Sequence, residues 1–384
     1  MAQQVAHPGT GVHFRGGSVM KLVVFGLTIS SSWGNGHATL WRGLCRALAA
    51  KGHRVVFFER DVPYYAGARD YFVVPGGTLI LYPHWPDAIQ TARTELKDAD
   101  AAIVTSYCPD ALTAGDLVSE MQVRPIFYDL DTPVTLGRLI RGEAVPYIGP
   151  QGLAHFDLVL SYTGGKALKL LREYLGAQRV APLYGHVDPQ VHRPVPPVAT
   201  YRSDLSYLGT YAADRQHLLA HLLIEPARRC PDLRFVIGGA QYPHDFPWSD
   251  NIHFVRHLPP SEHPAFYSSS RMTLNITRQD MAAMGWCPSG RLFEAAACGT
   301  PIVTDTWQGL DAFFEPGAEV IAGSSAVDVL GALDRGNADL RELGLRARAR
   351  VLREHSSERR AEEFLALLCD GPRRGRARYE EARV

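Results

Sequence analysis

Short apolar runs bounded by glycine, proline or polar residues recur along the 384-residue chain, and amphipathic helical patterns fill the intervals between them. Runs of this length without polar alternation are buried on both faces, and parallel strands separated by helices bury a sheet in that way. In the first half, strands are expected at 22–26, 54–59, 77–82, 101–106, 125–129 and 158–162. In the second half they are expected at 205–209, 234–238, 252–255, 272–276 and 301–304. Between the two sets lie Pro189, Pro194, Pro196 and Pro197, a density that interrupts both helix and sheet. The chain is too long for one ordinary core, so the pattern predicts an α/β protein of two Rossmann-like domains facing a central cleft.

The boundaries follow from the same pattern. Residues 20–188 form the first domain, 189–200 the linker, 201–355 the second domain, and 356–384 a helix and tail directed back toward the first domain. Residues 1–19 precede the first strand and are expected to be disordered, with Met20 as the natural start and the Arg-rich end frayed. In the helix that follows the first strand, Leu40, Trp41, Leu44, Cys45 and Leu48 share one face and belong to the core.

Composition removes several classes of function. Lysine plus arginine (40) equals aspartate plus glutamate (40), so there is no basic field to hold a nucleic acid. No apolar run approaches the roughly 20 residues of a membrane span. Six scattered cysteines without a CxxC pair, and no histidine cluster at metal-ligand spacing, predict reduced thiols in a cytoplasmic protein. The lysines are Lys21, Lys51, Lys97, Lys166 and Lys169, so phosphate contacts from side chains in the second half fall to arginine or histidine.

The segment richest in chemistry is SGRLFEAAACGTPIVTD, residues 289–305. Ser289 and Gly290 open a helix, Gly299 ends it, and Pro301 leads into a buried strand. Free N–H groups at a helix start attract anions, a pyrophosphate among them. Gly290 removes the Cβ that would keep phosphate oxygens away, Arg291 adds a planar cation, and Glu294 can accept both hydroxyls of a ribose. Gly209, Thr210 and Arg215 follow one strand and Arg278 follows another, which supplies two further cations for a diphosphate. A solvated acid on an amphipathic helix is the plain alternative for Glu294, but Phe293 and the run 295–298 put it beside a packed face.

This segment resembles the donor-binding signature of glycosyltransferases with the two-domain GT-B fold. It is most similar to the CgeB-like group, of the spore-maturation type, among the glycosyl transferases of group 1. Arg291, Phe293-Glu294, the small-residue run, Cys298-Gly299 and Thr300-Pro301 follow that pattern, and the likeness is good from Tyr201 onward and looser before it. The resemblance implies a nucleoside-diphosphate sugar as co-substrate on the second half and a last helix that packs across the first domain. Two departures stand out. Relatives that place a lysine beside an arginine on the phosphates have no counterpart here, and Trp286 stands eight positions before Glu294 where retaining relatives carry a glutamate. Trp286 could stack on a base or sugar, and the stereochemical outcome stays open.

In the first half, a long loop leads from the first strand through Gly34, Asn35 and Gly36 to His37 at a helix start. An imidazole there can take a proton from an acceptor hydroxyl, or it can simply pack locally. Asp131, just beyond a strand in YDLDTPVTL, is a second candidate base, with a turn or helix cap as the alternative; Asp129 lies deeper in that strand. Tyr107 and Asp110 are further acceptor-side candidates, and a similarly placed histidine recurs in GT-B enzymes. A dehydrogenase reading with Glu59 as ribose acid fails, because the glycines lack GxGxxG spacing.

Together these observations predict a metal-independent glycosyltransferase that needs no cofactor beyond its nucleotide sugar. The acceptor class is open: small molecule, lipid, glycan or protein. A nucleotide-sugar epimerase of the same fold and a non-catalytic nucleotide-sugar-binding protein are the alternatives.

Overall fold

A computed structural model describes residues 19–370. The Arg-rich end and all but the last residue of the expected N-terminal extension lie outside the described residues. The first sheet has seven strands: β1 Lys21–Gly26, β2 Arg54–Arg60, β3 Thr78–Tyr82, β4 Ala101–Thr105, β5 Arg124–Asp129, β6 Leu158–Ser161 and β7 Val180–Pro182. The second has six: β8 Leu205–Leu208, β9 Phe235–Gly239, β10 Ile252–Arg256, β11 Thr273–Asn275, β12 Ile302–Thr304 and β13 Ile321–Ala322. All pairings are parallel. The orders are 3-2-1-4-5-6-7 and 10-9-8-11-12-13, so each sheet reverses its winding beside its first strand. Crevices at such reversals, beyond the strand carboxyl ends, are where open α/β sheets bind ligands.

The run-without-alternation pattern has its physical counterpart in the packing. Val23 and Phe25 of β1 join Val56, Phe58, Ala102 and Val104 on one face of the sheet. Leu22 and Val24 join Val55, Phe57, Ala101 and Ile103 on the other. The second sheet divides in the same way, with Val236 and Ile302 on one side and Phe235, Ile237 and Val303 on the other. The strands that the pattern does not reveal, β7 and β13, are three and two residues long and too short to produce a run.

The last helix, Ser357–Cys369, belongs to the first core rather than the second. Ala361, Phe364, Leu365 and Leu368 pack with Trp41, Leu44 and Leu48 of the helix Gly36–Ala50. Gly43 permits the approach, since a Cβ there would lie 2.4 Å from Ser357 Oγ. Arg360, 2% exposed, donates to the Gly185 carbonyl at 3.1 Å and ties this helix to the chain entering the linker.

The halves also meet behind the cleft. Gly164 N–H donates to the Trp286 carbonyl at 3.0 Å, and Thr163 Oγ1 to Cys287 Sγ at 3.1 Å. Trp286 has φ 49° and packs against Gly165 and Gly309 and beside Phe313. This corrects the reading of Trp286 as a stacking platform for a base or sugar: its ring fills the seam between domains and does not line the cleft.

Candidate active site

A cleft of about 420 Å³ separates the two sheets, and its walls come from loops at strand carboxyl ends on both sides. On the second half, Ser289 caps the helix Gly290–Ala297, its Oγ accepting from Arg291 N–H at 3.3 Å. An added Cβ at Gly290 would meet nothing nearer than the Tyr162 hydroxyl at 3.9 Å, so the helix start is open to a ligand. Arg215, Arg278 and Arg291 line the same cleft with Gly209 and Thr210. Arg215 is 6% exposed and is held by a 2.6 Å bond to the Thr210 carbonyl, whereas Arg278 pairs with Asp214 at 3.2 Å.

Glu294 lines this cleft from one turn into that helix, beside two histidines that come from distant parts of the chain. Its Oε2 lies 3.2 Å from His263 Nδ1 and 3.9 Å from His192 Nε2. Burial opposes its ionisation, but His192, His263 and Arg291 outweigh it and hold the carboxyl down to about 2. Glu294 is therefore a carboxylate at neutral pH, as a bidentate acceptor for a diol must be. Linear spacing conceals this cluster, because the histidines lie 71 residues apart and approach only through the fold.

The first half supplies a loop that is rigid by construction. Glu59, fully buried, accepts from Ile29 N–H and Thr28 Oγ1 at 2.8 Å and from Ser30 N–H at 2.9 Å. Its role is to clamp the loop after β1, which accounts for a buried acid at the end of β2 without a nucleotide. Arg42 adds a fork onto Asp70 and a 2.9 Å bond to the Ile29 carbonyl. Gly34 then takes φ 58°, and Asn35 caps the next helix by accepting from His37 N–H at 3.1 Å.

His37 reaches the cleft with Nδ1 buried and without a hydrogen-bond partner among the described residues. Burial lowers its pKa against the opposing pull of Asp131, so the ring is neutral at pH 7 and able to accept a proton. Asp131 lines the cleft, takes the Tyr107 hydroxyl on Oδ2 at 3.0 Å and keeps Oδ1 without a hydrogen-bond partner among the described residues. It occupies the N-cap position of the helix Thr132–Ile140 without capping it through its side chain.

Other candidates are assigned elsewhere. Tyr107, at φ 62°, stands behind Asp131 and does not line the cleft. Asp110 is held by Tyr82 and Arg60 away from it. Asp129 is wholly buried, its carboxyl pushed up to about 6 by desolvation and bound by Asp131 N–H at 3.1 Å. The letters DLD thus place only one carboxylate in the cleft. Sequence reasoning missed Trp33, which crosses the cleft mouth to stack on His257 with centroids 4.5 Å apart.

Residues 215–366, which hold Arg215, Arg278, Arg291 and Glu294 of this wall, match a family described as glycosyl transferase-like. No curated protein sequence matches the chain. Among solved structures, the sucrose-phosphate synthase of Thermosynechococcus elongatus superposes with a TM-score of 0.64 at 15% identity, over 91% of this chain and 98% of that one. HepE of Anabaena, in complex with UDP and glucose, does so at 0.64 and 13% identity, over 92% and 100%. The fold is GT-B. An alpha-glucosyltransferase in complex with UDP and a 13-mer DNA shares this GT-B architecture at a TM-score of 0.64 and 10% identity, over 92% of this chain and all of that one. In the present GT-B chain, the matched family segment coincides with the half that carries Arg215, Arg278, Arg291 and Glu294.

Proposed function

We propose that the protein is a glycosyltransferase that moves a sugar from a nucleoside-diphosphate sugar to an acceptor hydroxyl held by the first domain. The observation that carries this reading is the ionised Glu294 one turn into a helix whose open start lines one cleft with Arg215, Arg278 and Arg291. Glu294 takes the ribose hydroxyls, and the helix N-terminus with Arg215, Arg278 and Arg291 takes the diphosphate and the charge that develops on it. His37 removes the acceptor proton, and Asp131 stabilises the imidazolium or itself serves as base. UDP is the nucleotide to try first, since HepE and the alpha-glucosyltransferase are held with it.

Finer features rest on the same geometry. Arginines and a helix dipole neutralise a leaving diphosphate without a cation, which favours metal-independent, hexosyl-type transfer. The signature at 291–301 favours the CgeB-like group. Six unpaired cysteines and balanced charge favour a cytoplasmic enzyme whose acceptor is not a nucleic acid, and no described helix is long and apolar enough to cross a membrane.

A thermal-shift screen of nucleoside diphosphates and their sugars tests this reading, because a ligand of the folded state raises Tm by mass action. At least one should stabilise the protein, and its sugar form should be slowly hydrolysed, in the presence of excess EDTA as well as without it. No stabilisation by any member would contradict the proposal. Conversion of the donor to an epimer without acceptor would assign the cleft to an epimerase instead.

A further inference from the structure

His192, His263 and Glu294 form a constellation that binding a ribose does not require. Their three ligand atoms lie within 4.8 Å of one another. Ligand atoms around a tetrahedral zinc at about 2.0–2.2 Å stand roughly 3.3 Å apart, so the 3.2 Å pair already fits, the 3.9 Å pair needs a small inward shift, and the two histidines, within 4.8 Å of each other, draw together around the ion. His192 is 1% exposed, and neither of its ring nitrogens has a hydrogen-bond partner among the described residues. A buried imidazole left in that state is costly unless something else takes its lone pair. The two other ligands open onto the cleft, which supplies an entry path. The Tyr267 hydroxyl is also buried and has no hydrogen-bond partner among the described residues, and its ring stands 6.4 Å from that of His263.

We infer that His192, His263 and Glu294 bind one transition-metal cation of the zinc class, with the fourth position open to the cleft. Two imidazoles and one carboxylate are the donor set that zinc and cobalt(II) accept in sites with an open position, whereas magnesium and calcium prefer oxygen. The metal plays no part in transfer. It occupies the carboxylate that the functional reading gives to the ribose, so metal and nucleotide exclude one another, and this part rests on that reading. The cation then acts as an inhibitor that holds the donor wall to the linker through His192.

Cobalt(II) absorption, followed as CoCl2 is added to metal-free full-length protein, tests the site directly. One tetrahedral cobalt(II) per chain is expected, with binding lost in His263→Ala and His192→Gln while circular dichroism shows both variants folded. UDP should displace the cobalt, and cobalt at about ten times its own dissociation constant should raise the apparent Kd of UDP about tenfold. Absence of a tetrahedral band, or a band that survives both substitutions, would overturn the site. Cobalt that stays bound at saturating UDP would overturn the shared carboxylate. Failure of UDP and of every other nucleoside diphosphate to bind the metal-free protein would instead contradict the functional reading, because cobalt binding to the three side chains needs no nucleotide.

Discussion

His37 shows what a single side chain can and cannot disclose before its surroundings are known. Its place at a helix start beyond a glycine-bearing loop was readable, but its neutrality comes from burial and its free Nδ1 from the loop that Glu59 clamps. A base with a pKa below 6.5 stays competent down to mildly acid pH, so the acid limb of kcat/KM should fall below that value. His37→Ala should lower turnover by about 10²–10⁴-fold and leave nucleotide affinity unchanged. A steady-state pH profile with calorimetry checks both, and a variant that keeps full turnover would remove His37 from the chemistry. Glu294 was legible from its motif. Its partners His192 and His263 were not, because no local pattern joins a Pro-rich linker to a helix start.

At the scale of elements, the long strands were legible because burial on both faces leaves an unbroken apolar run, while β7 and β13 are set by pairing alone. The docking of the last helix carries a pH signature. His186, bonded through Nδ1 to Ser357 at 2.9 Å, and His355 are each depressed to about 3, by burial first and by the Arg360 cation second. Both are neutral in the folded protein where the unfolded chain already binds protons. Stability from these groups is therefore complete above 6.5 and lost as pH falls from there toward 3. Each should remove about 1.4 kcal/mol per pH unit within that window. Urea unfolding at pH 7 and pH 5 measures the loss, and His355→Gln should flatten it; equal stability at the two values would contradict the assignment.

For the whole molecule, the account depends on how the two sheets are held together around the cleft. Trp286 is the wedge in that seam, and Gly165 meets it at φ 54° with an added Cβ only 2.4 Å from its ring. Gly165→Ala should cost about 1–3 kcal/mol by denaturation, whereas Gly331→Ala, inside a helix with no neighbour within 4 Å, should gain about 0.5–1 kcal/mol. The two-domain plan was legible from the strand sets and the proline break. The seam was not, since a tryptophan eight residues before Glu294 reads equally well as a platform. The central claim is that the donor nucleotide sits on the second half and is gripped by Glu294. Calorimetric titration of UDP into metal-free wild type, Glu294→Gln and His37→Ala tests it most directly. The account predicts a loss of roughly 1.5–3 kcal/mol in Glu294→Gln and none in His37→Ala. Unchanged affinity in Glu294→Gln, with loss in a folded His37→Ala, would place the donor on the first half and contradict the account.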